Sequence, residues 1–279
     1  MRTGIIDTGG GLRGIFGAGV FDRLLSENII INDLYGVSAG AANAITYVAR
    51  QKDRTILFYK DYAKRPEYMS FSNLIKTGSF IGLSYIYETL SDSDGENPLN
   101  YENIAAFTGN FTTVVTDAET GKAVYFDKSA YSQDNYRALM ASSCLPAICR
   151  PVEIDGRKYF DGGVADPIPL EKAFSDGCDR LILILTRPKN DFHKPSLDRK
   201  AALIIKKHYP ATAKALYDRH LSYNEGLKKA LELEKEGKIL IIAPDNIKGL
   251  GTLTKDDGKL TALYNEGYKK AEKIVSFIK

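Results

Sequence analysis

The chain has few of the residues that mark a metal site or a secreted scaffold. In 279 residues there are three cysteines, Cys144, Cys149 and Cys178, and three histidines, His193, His208 and His220. The cysteines have no metal-ligand spacing. Their odd number, and the lack of a secretory h-region in Met1-Arg2-Thr3-Gly4-Ile5-Ile6-Asp7, point to reduced thiols in a cytoplasm. Each cysteine reads as a small buried hydrophobe. No run approaches the roughly 20 apolar residues of a membrane span. Formal net charge is only +3, too small to imply a nucleic-acid partner. With 44% hydrophobic and 26% charged residues, and no repeat, low-complexity segment or linker, the expectation is one globular domain over residues 1–279.

What the chain does have is Leu34-Tyr35-Gly36-Val37-Ser38-Ala39-Gly40. It reads as a short apolar strand, a Gly-x-Ser-x-Gly turn, and a helix from about residue 39 to 50. That is the context of a nucleophile elbow. Gly36 and Gly40 let strand and helix approach closely on either side of Ser38. The free N–H groups of the helix's first turn would favour negative charge there. A plainer reading is a βα turn whose serine caps the helix.

A second glycine-rich stretch, Gly9-Gly10-Gly11-Leu12-Arg13-Gly14, follows a strand over residues 4–8 and precedes a helix reaching about residue 28. Gly9, Gly11 and Gly14 fit the dinucleotide pattern G-x-G-x-x-G, which calls for an acidic residue at the end of a second strand. Asp33 is at about the right distance but precedes a strand. The other use of such a loop is an oxyanion hole, in which main-chain N–H groups converge on one point. Arg13 would add charge there or tie the loop to a carboxylate.

Further along, residues 53–65 read as an amphipathic helix with Ile56, Leu57, Phe58 and Tyr62 on its apolar side. Residues 66–90 are rich in aromatic and apolar side chains, from Tyr68 to Tyr87, and read as core helices or as a cap that accepts acyl chains. The polar loop 91–98 lacks EF-hand spacing. Strands are expected at 111–117 and 123–126, a helix at 135–143, and a hairpin across Asp155-Gly156. Asp161-Gly162-Gly163 then puts a carboxylate at a strand end, as a turn aspartate or as something more. Asp166-Pro167 is expected to cap and start a helix. Residues 180–186 read as a strand buried on both faces of a parallel sheet. Helices are expected at 199–208, 211–236 and 259–279, with a buried strand at 238–243.

Together these motifs resemble those of the patatin-like phospholipases. The glycine-rich loop at Gly9–Gly14, the Gly-x-Ser-x-Gly box at Gly36–Gly40 and the Asp-Gly-Gly box at Asp161–Gly163 occur in that family's order. Ala141-Ser142-Ser143-Cys144-Leu145-Pro146 precedes the third. The likeness covers about residues 4–186. It implies a three-layer α/β/α fold with a mainly parallel central sheet, and hydrolysis of acyl esters by a Ser-Asp dyad. Ser38 would be the nucleophile and Asp161 the base, with an oxyanion hole from Gly9, Gly10, Gly11 and Arg13. Gly14, Gly36, Gly40, Gly162 and Gly163 complete the motifs. Thr8 and Asp166 stand where many members have Asp and Asn.

Such chemistry calls for no metal and no organic cofactor. A lipid substrate would be reached from the aqueous side, with transient contact at a membrane surface. A nucleotide-binding or scaffold role for the glycine loop is the alternative. A Ser-His-Asp triad would need His193, which follows the strand 180–186 in a loop; His208 and His220 lie in polar helical stretches.

Overall fold

The computed structural model describes residues 1–195, 197–247 and 249–279. The chain opens with β1 (Thr3–Asp7), a 3-10 turn over Gly11–Gly14, α1 (Ile15–Ser26), β2 (Asp33–Val37) and α2 (Ala39–Val48). Next come α3 (Arg54–Lys60), α4 (Phe71–Thr77), a π-helical turn at Tyr85–Leu90 and α5 (Tyr101–Ala106). The middle holds β3 (Asn110–Asp117), β4 (Ala123–Phe126), α6 (Arg137–Ser142), β5 (Val152–Ile154), β6 (Arg157–Asp161) and α7 (Leu170–Ser175). The chain closes with β7 (Arg180–Ile184), α8 (Leu197–Ile205), α9 (Pro210–Lys235), β8 (Ile239–Ile242), α10 (Asp257–Lys270) and α11 (Glu272–Ile278).

All eight strands form one sheet in the order β5-β6-β3-β2-β1-β7-β8, with β4 also paired to β3. The five strands from β3 to β8 are parallel, and β4, β5 and β6 extend the sheet in antiparallel fashion. The continuous apolar runs explain the layering. Successive side chains in a strand face opposite ways. Ile5, Leu34, Ile182, Ile184 and Ile242 join the core under α1, α2, α10 and α11. Their neighbours Ile6, Tyr35, Leu181, Leu183 and Ile241 pack with Leu170 and Ala173 of α7 and Leu227 and Ala230 of α9. Strands buried on both faces need helices on both faces, which gives three layers. No helix among the described residues is long and apolar enough to cross a membrane.

Three expected elements differ. The helix of residues 53–65 stops at Lys60 and tightens into a 3-10 turn at Tyr62–Lys64. Arg65 is extended with ψ 139°, as the residue before Pro66 must be to clear the proline ring. Leu57, expected on the apolar side, is exposed. Asp166 does not cap a helix. Its carboxylate accepts from Tyr125 Oη at 2.7 Å, and α7 begins only at Leu170. The last helix is two, because the chain turns at Ala271 and brings Ile274 into the core.

Candidate active site

The parallel strands deliver their loops to one edge of the sheet, where ligands of open α/β sheets bind. β1 ends at Asp7 and runs into the glycine loop; β2 ends at Val37 and runs into Ser38. Register sets the third part. Val37 pairs with Val114 of β3, and Asp161 pairs with the next residue, Val115, from the other side. Ser38 and Asp161 therefore leave the sheet at the same level, one strand apart.

Ser38 has φ 57° and ψ −131°, a conformation that costs a non-glycine residue about 1–3 kcal/mol and is held by its surroundings. It occupies the position before α2, yet its side chain makes no capping hydrogen bond. The capping reading therefore fails, and Oγ is not committed to the helix. The turn is pinned through the backbone instead. Ser38 N–H donates to Ser142 Oγ at 2.8 Å, and that hydroxyl donates to Val114 O at 2.7 Å. Behind the turn, a Cβ at Gly40 would strike the Asp7 carbonyl, so only glycine lets α2 pack this close to β1.

Asp161 is 1% exposed. Its Oδ1 accepts from Gly163 N–H at 2.8 Å, its backbone N–H donates to Cys144 O at 2.8 Å, and its carbonyl accepts from Thr116 Oγ1 at 2.8 Å. Oδ2 completes no hydrogen bond among the described residues. Burial pushes the carboxyl above the ordinary carboxylate range, against the pull of Arg219, the Ser38 hydroxyl and the Gly163 N–H. A carboxylate raised in this way is a better proton acceptor than a free one. Ser142 and Cys144, the second and fourth residues of the Ala141–Pro146 stretch, thus fix the serine and the aspartate respectively.

The glycine loop lies against the elbow, since a Cβ at Gly9 would meet Ala39 N at 3.0 Å. Gly9, Gly10 and Gly11 have φ of 62°, 133° and 59°. At Gly10 this conformation and Thr186 Oγ1, which a Cβ would strike, both demand glycine. Gly9 N–H is committed to Asp7 Oδ1 at 2.9 Å, so Gly9 anchors the loop and is not a free donor. Among the described residues nothing accepts from the N–H groups of Gly10, Gly11 or Ala39. Among the described residues Arg13 is tied to no carboxylate. Its guanidinium approaches Leu250 O at 3.4 Å and lies beside Gly10, and burial lowers its pKa to about 10.

Asp7 organises this loop, and nothing in the motif pattern singled it out. It is fully buried. Its second oxygen accepts from Asn43 Nδ2 at 2.8 Å, and the same Nδ2 donates to Gly14 O. Tyr59 Oη donates to Asn43 Oδ1 at 3.0 Å. Burial raises the Asp7 pKa to about 6. The folded state thus holds the proton more tightly than the unfolded one. The resulting stability is fully present below about pH 4 and is lost as pH rises through 6. Asp7→Asn carries no such term. Relative to wild type, its unfolding free energy in urea should improve by about 2 kcal/mol between pH 4.5 and 7.5. A difference that stays flat across that range would contradict the buried-carboxylate account.

The dinucleotide reading loses its acidic partner here. Asp33 pairs in register with Gly4, at the opposite end of the strands from the loop, and accepts from Arg2 Nε at 2.7 Å. His193 stacks on Tyr223 with centroids 3.7 Å apart and makes no hydrogen bond to Ser38. Burial and the surrounding Arg187, Arg219 and Arg13 lower its pKa to about 3. His208 is exposed and His220 half-buried.

Ser38 also borders a cavity of about 90 Å³. Ala39, Ala42 and Thr46 of α2 form one wall, and the segment expected as core or cap forms another, with Tyr68, Met69, Ile81, Leu83, Ile86 and Tyr87. That segment is thus core and cavity lining at once. Its α4 turns Phe71 and Ile75 to solvent, at 76% and 86% exposure.

Comparison with known proteins bears on these residues. A family model described as patatin-like phospholipase matches residues 8–174, which include all three motifs, and a model described as a domain of unknown function matches residues 209–279. The chain is similar to the protein YjjU of Escherichia coli K12, at 28% identity over 70% of this chain and 54% of that one. It is also similar to an NTE family protein of Mycobacterium tuberculosis, at 27% identity over 63% of this chain and 46% of that one. The chain spans about half the length of these curated relatives. Its fold is similar to that of VipD from Legionella pneumophila, with a TM-score of 0.55 and 12% identity over 99% of this chain and 67% of that one.

Proposed function

The chain belongs to the patatin-like phospholipase family, and on that premise we propose that it is a serine acyl hydrolase that cleaves lipid ester bonds through a Ser38–Asp161 dyad. The observation that carries the proposal is the Ser38 hydroxyl, engaged in no helix cap, set at one level of the sheet with the buried, half-partnered carboxylate of Asp161. Ser38 Oγ attacks the ester carbonyl as Asp161 takes its proton. The tetrahedral oxyanion lies against the free N–H groups of Gly10, Gly11 and Ala39, with Arg13 behind the loop. The intermediate collapses, the alcohol leaves with the proton, and an acyl-enzyme remains. Water, deprotonated by Asp161, then attacks that ester; the acid departs and the proton returns to Ser38.

The acyl chain is taken to lie in the cavity beside α2. Exposed Phe71 and Ile75 of α4 give a surface for transient contact with lipid aggregates. A panel of vesicle-dispersed lipids of graded acyl length and short soluble esters tests the reading. Turnover of esters, with dispersed lipid at least equal to the short esters, is expected. No turnover of any ester would refute the hydrolase, and activity confined to short soluble esters would refute its lipid side.

The loop can be tested separately. Gly10→Ala forces a Cβ against Thr186 and displaces one donor, and should lower kcat by roughly 10²–10³ with a smaller change in KM. An unchanged kcat would remove Gly10 from the oxyanion hole.

A further inference from the structure

The cavity beside Ser38 does not end in apolar residues. Its α2 wall runs from Ala39 through Ala42 to Thr46, a rise of roughly 10 Å along the helix. At the Thr46 end stands Arg54, which also lines the cavity and is 8% exposed. Its Nη1 lies 3.4 Å from Thr46 Oγ1. Its Nη2 donates to Ser91 Oγ at 2.9 Å and to Asn97 O at 2.8 Å. The Phe58 ring lies 4.7 Å from the guanidinium carbon. Every one of these partners is neutral. Nε has no partner, and no carboxylate pairs with Arg54 among the described residues.

A buried, ionised guanidinium facing only hydroxyls, a carbonyl and an aromatic ring lacks its counter-charge. The contacts to Ser91 and Asn97 do hold the polar loop in place, but a neutral donor in that position would hold it as well. The cavity volume of about 90 Å³ is several times what one water needs, and with Ala39, Ala42 and Thr46 along one wall it runs beside α2 from Ser38 to Arg54.

We infer that this cavity takes an acyl chain whose far end carries a carboxylate, seated on Arg54 while the ester carbonyl lies at Ser38. The inference rests on the acyl-hydrolase reading and adds to it a preference, among chains of one length, for the half-ester of a straight-chain dicarboxylic acid over the methyl-ended ester. Hydrolysis of such an ester consumes one water and releases the alcohol and the dicarboxylate.

The test is a matched pair: p-nitrophenyl esters of one chain length, one ending in methyl and the other in carboxylate, across graded lengths. Wild-type kcat/KM should favour the carboxylate-ended ester by about 10–100-fold at the matching length, the range expected of a desolvated charge-assisted contact. In Arg54→Met that ratio should fall to one or below, and Arg54→Lys should restore part of it. A wild-type preference for the methyl-ended ester at every length would overturn the inference without reference to any variant. So would a ratio unchanged in Arg54→Met. Calorimetry of the same acids with Ser38→Ala separates the two readings. Tighter binding of the dicarboxylate, lost when Arg54→Met is added, supports the inference even if no ester is turned over; equal binding of both acids overturns it even if esters are.

Discussion

Ser38→Ala is expected to lose at least about 10⁴ in kcat on every ester the wild type hydrolyses, the scale on which single nucleophile deletions act in serine hydrolases. The fold should not notice. The Ser38 side chain caps nothing, and the turn is held by its backbone N–H on Ser142 Oγ, which alanine keeps. Alanine is as unfavourable as serine at φ 57°, so the local strain is also retained. The melting temperature should therefore match wild type within experimental error. A fall of several degrees would make Oγ a structural group, and retained turnover would remove it from the chemistry.

Asp161→Asn should lose on the order of 10³–10⁴ in kcat. The asparagine oxygen can still accept from Gly163 N–H, as Asp161 Oδ1 does at 2.8 Å, so geometry is preserved and the base is not. Because the wild-type carboxylate is buried and its pKa is raised, losing its charge should leave stability equal or higher at neutral pH. In the wild type, kcat/KM should fall on the acid side, with its midpoint above the ordinary carboxylate value near 3.9. His193→Ala, His208→Ala and His220→Ala belong in the same experiment and should stay within a few-fold of wild type. The His193 imidazole is stacked on Tyr223, among three arginines, with a pKa of about 3. That makes it a weak base turned to another task. If His193→Ala is as inactive as Ser38→Ala, the dyad is wrong.

The fold was legible where a feature is local. Continuous apolar runs gave β7 and β8, Asp155-Gly156 gave the β5–β6 hairpin, and the two glycine motifs marked the ends of β1 and β2. Local patterns failed where a distant partner decides. Asp166 looks like a cap, but Tyr125, brought near by β4, takes its carboxylate. The site divides in the same way. Ser38 and Asp161 sit in motifs, but the register that sets them on either side of β3 is a property of the sheet. Asp7, Asn43 and Ser142 act through contacts spanning 16 to 104 residues, apart from Asp7 on Gly9. The one available signal was a charged residue ending an otherwise apolar strand, at Asp7. Arg54 lies in a helix whose sequence pattern marks only its apolar side, and it is the Ser91–Asn97 loop, distant in sequence, that folds over it and buries it.

The most direct test of the account is to label the purified protein with a fluorophosphonate and map the adduct by mass spectrometry of its peptides. One adduct per chain, on the peptide carrying Ser38 and absent in Ser38→Ala, is the expected result. No adduct on a folded protein, or an adduct on another serine that persists in Ser38→Ala, would contradict the claim that the Gly36–Gly40 elbow holds an activated nucleophile.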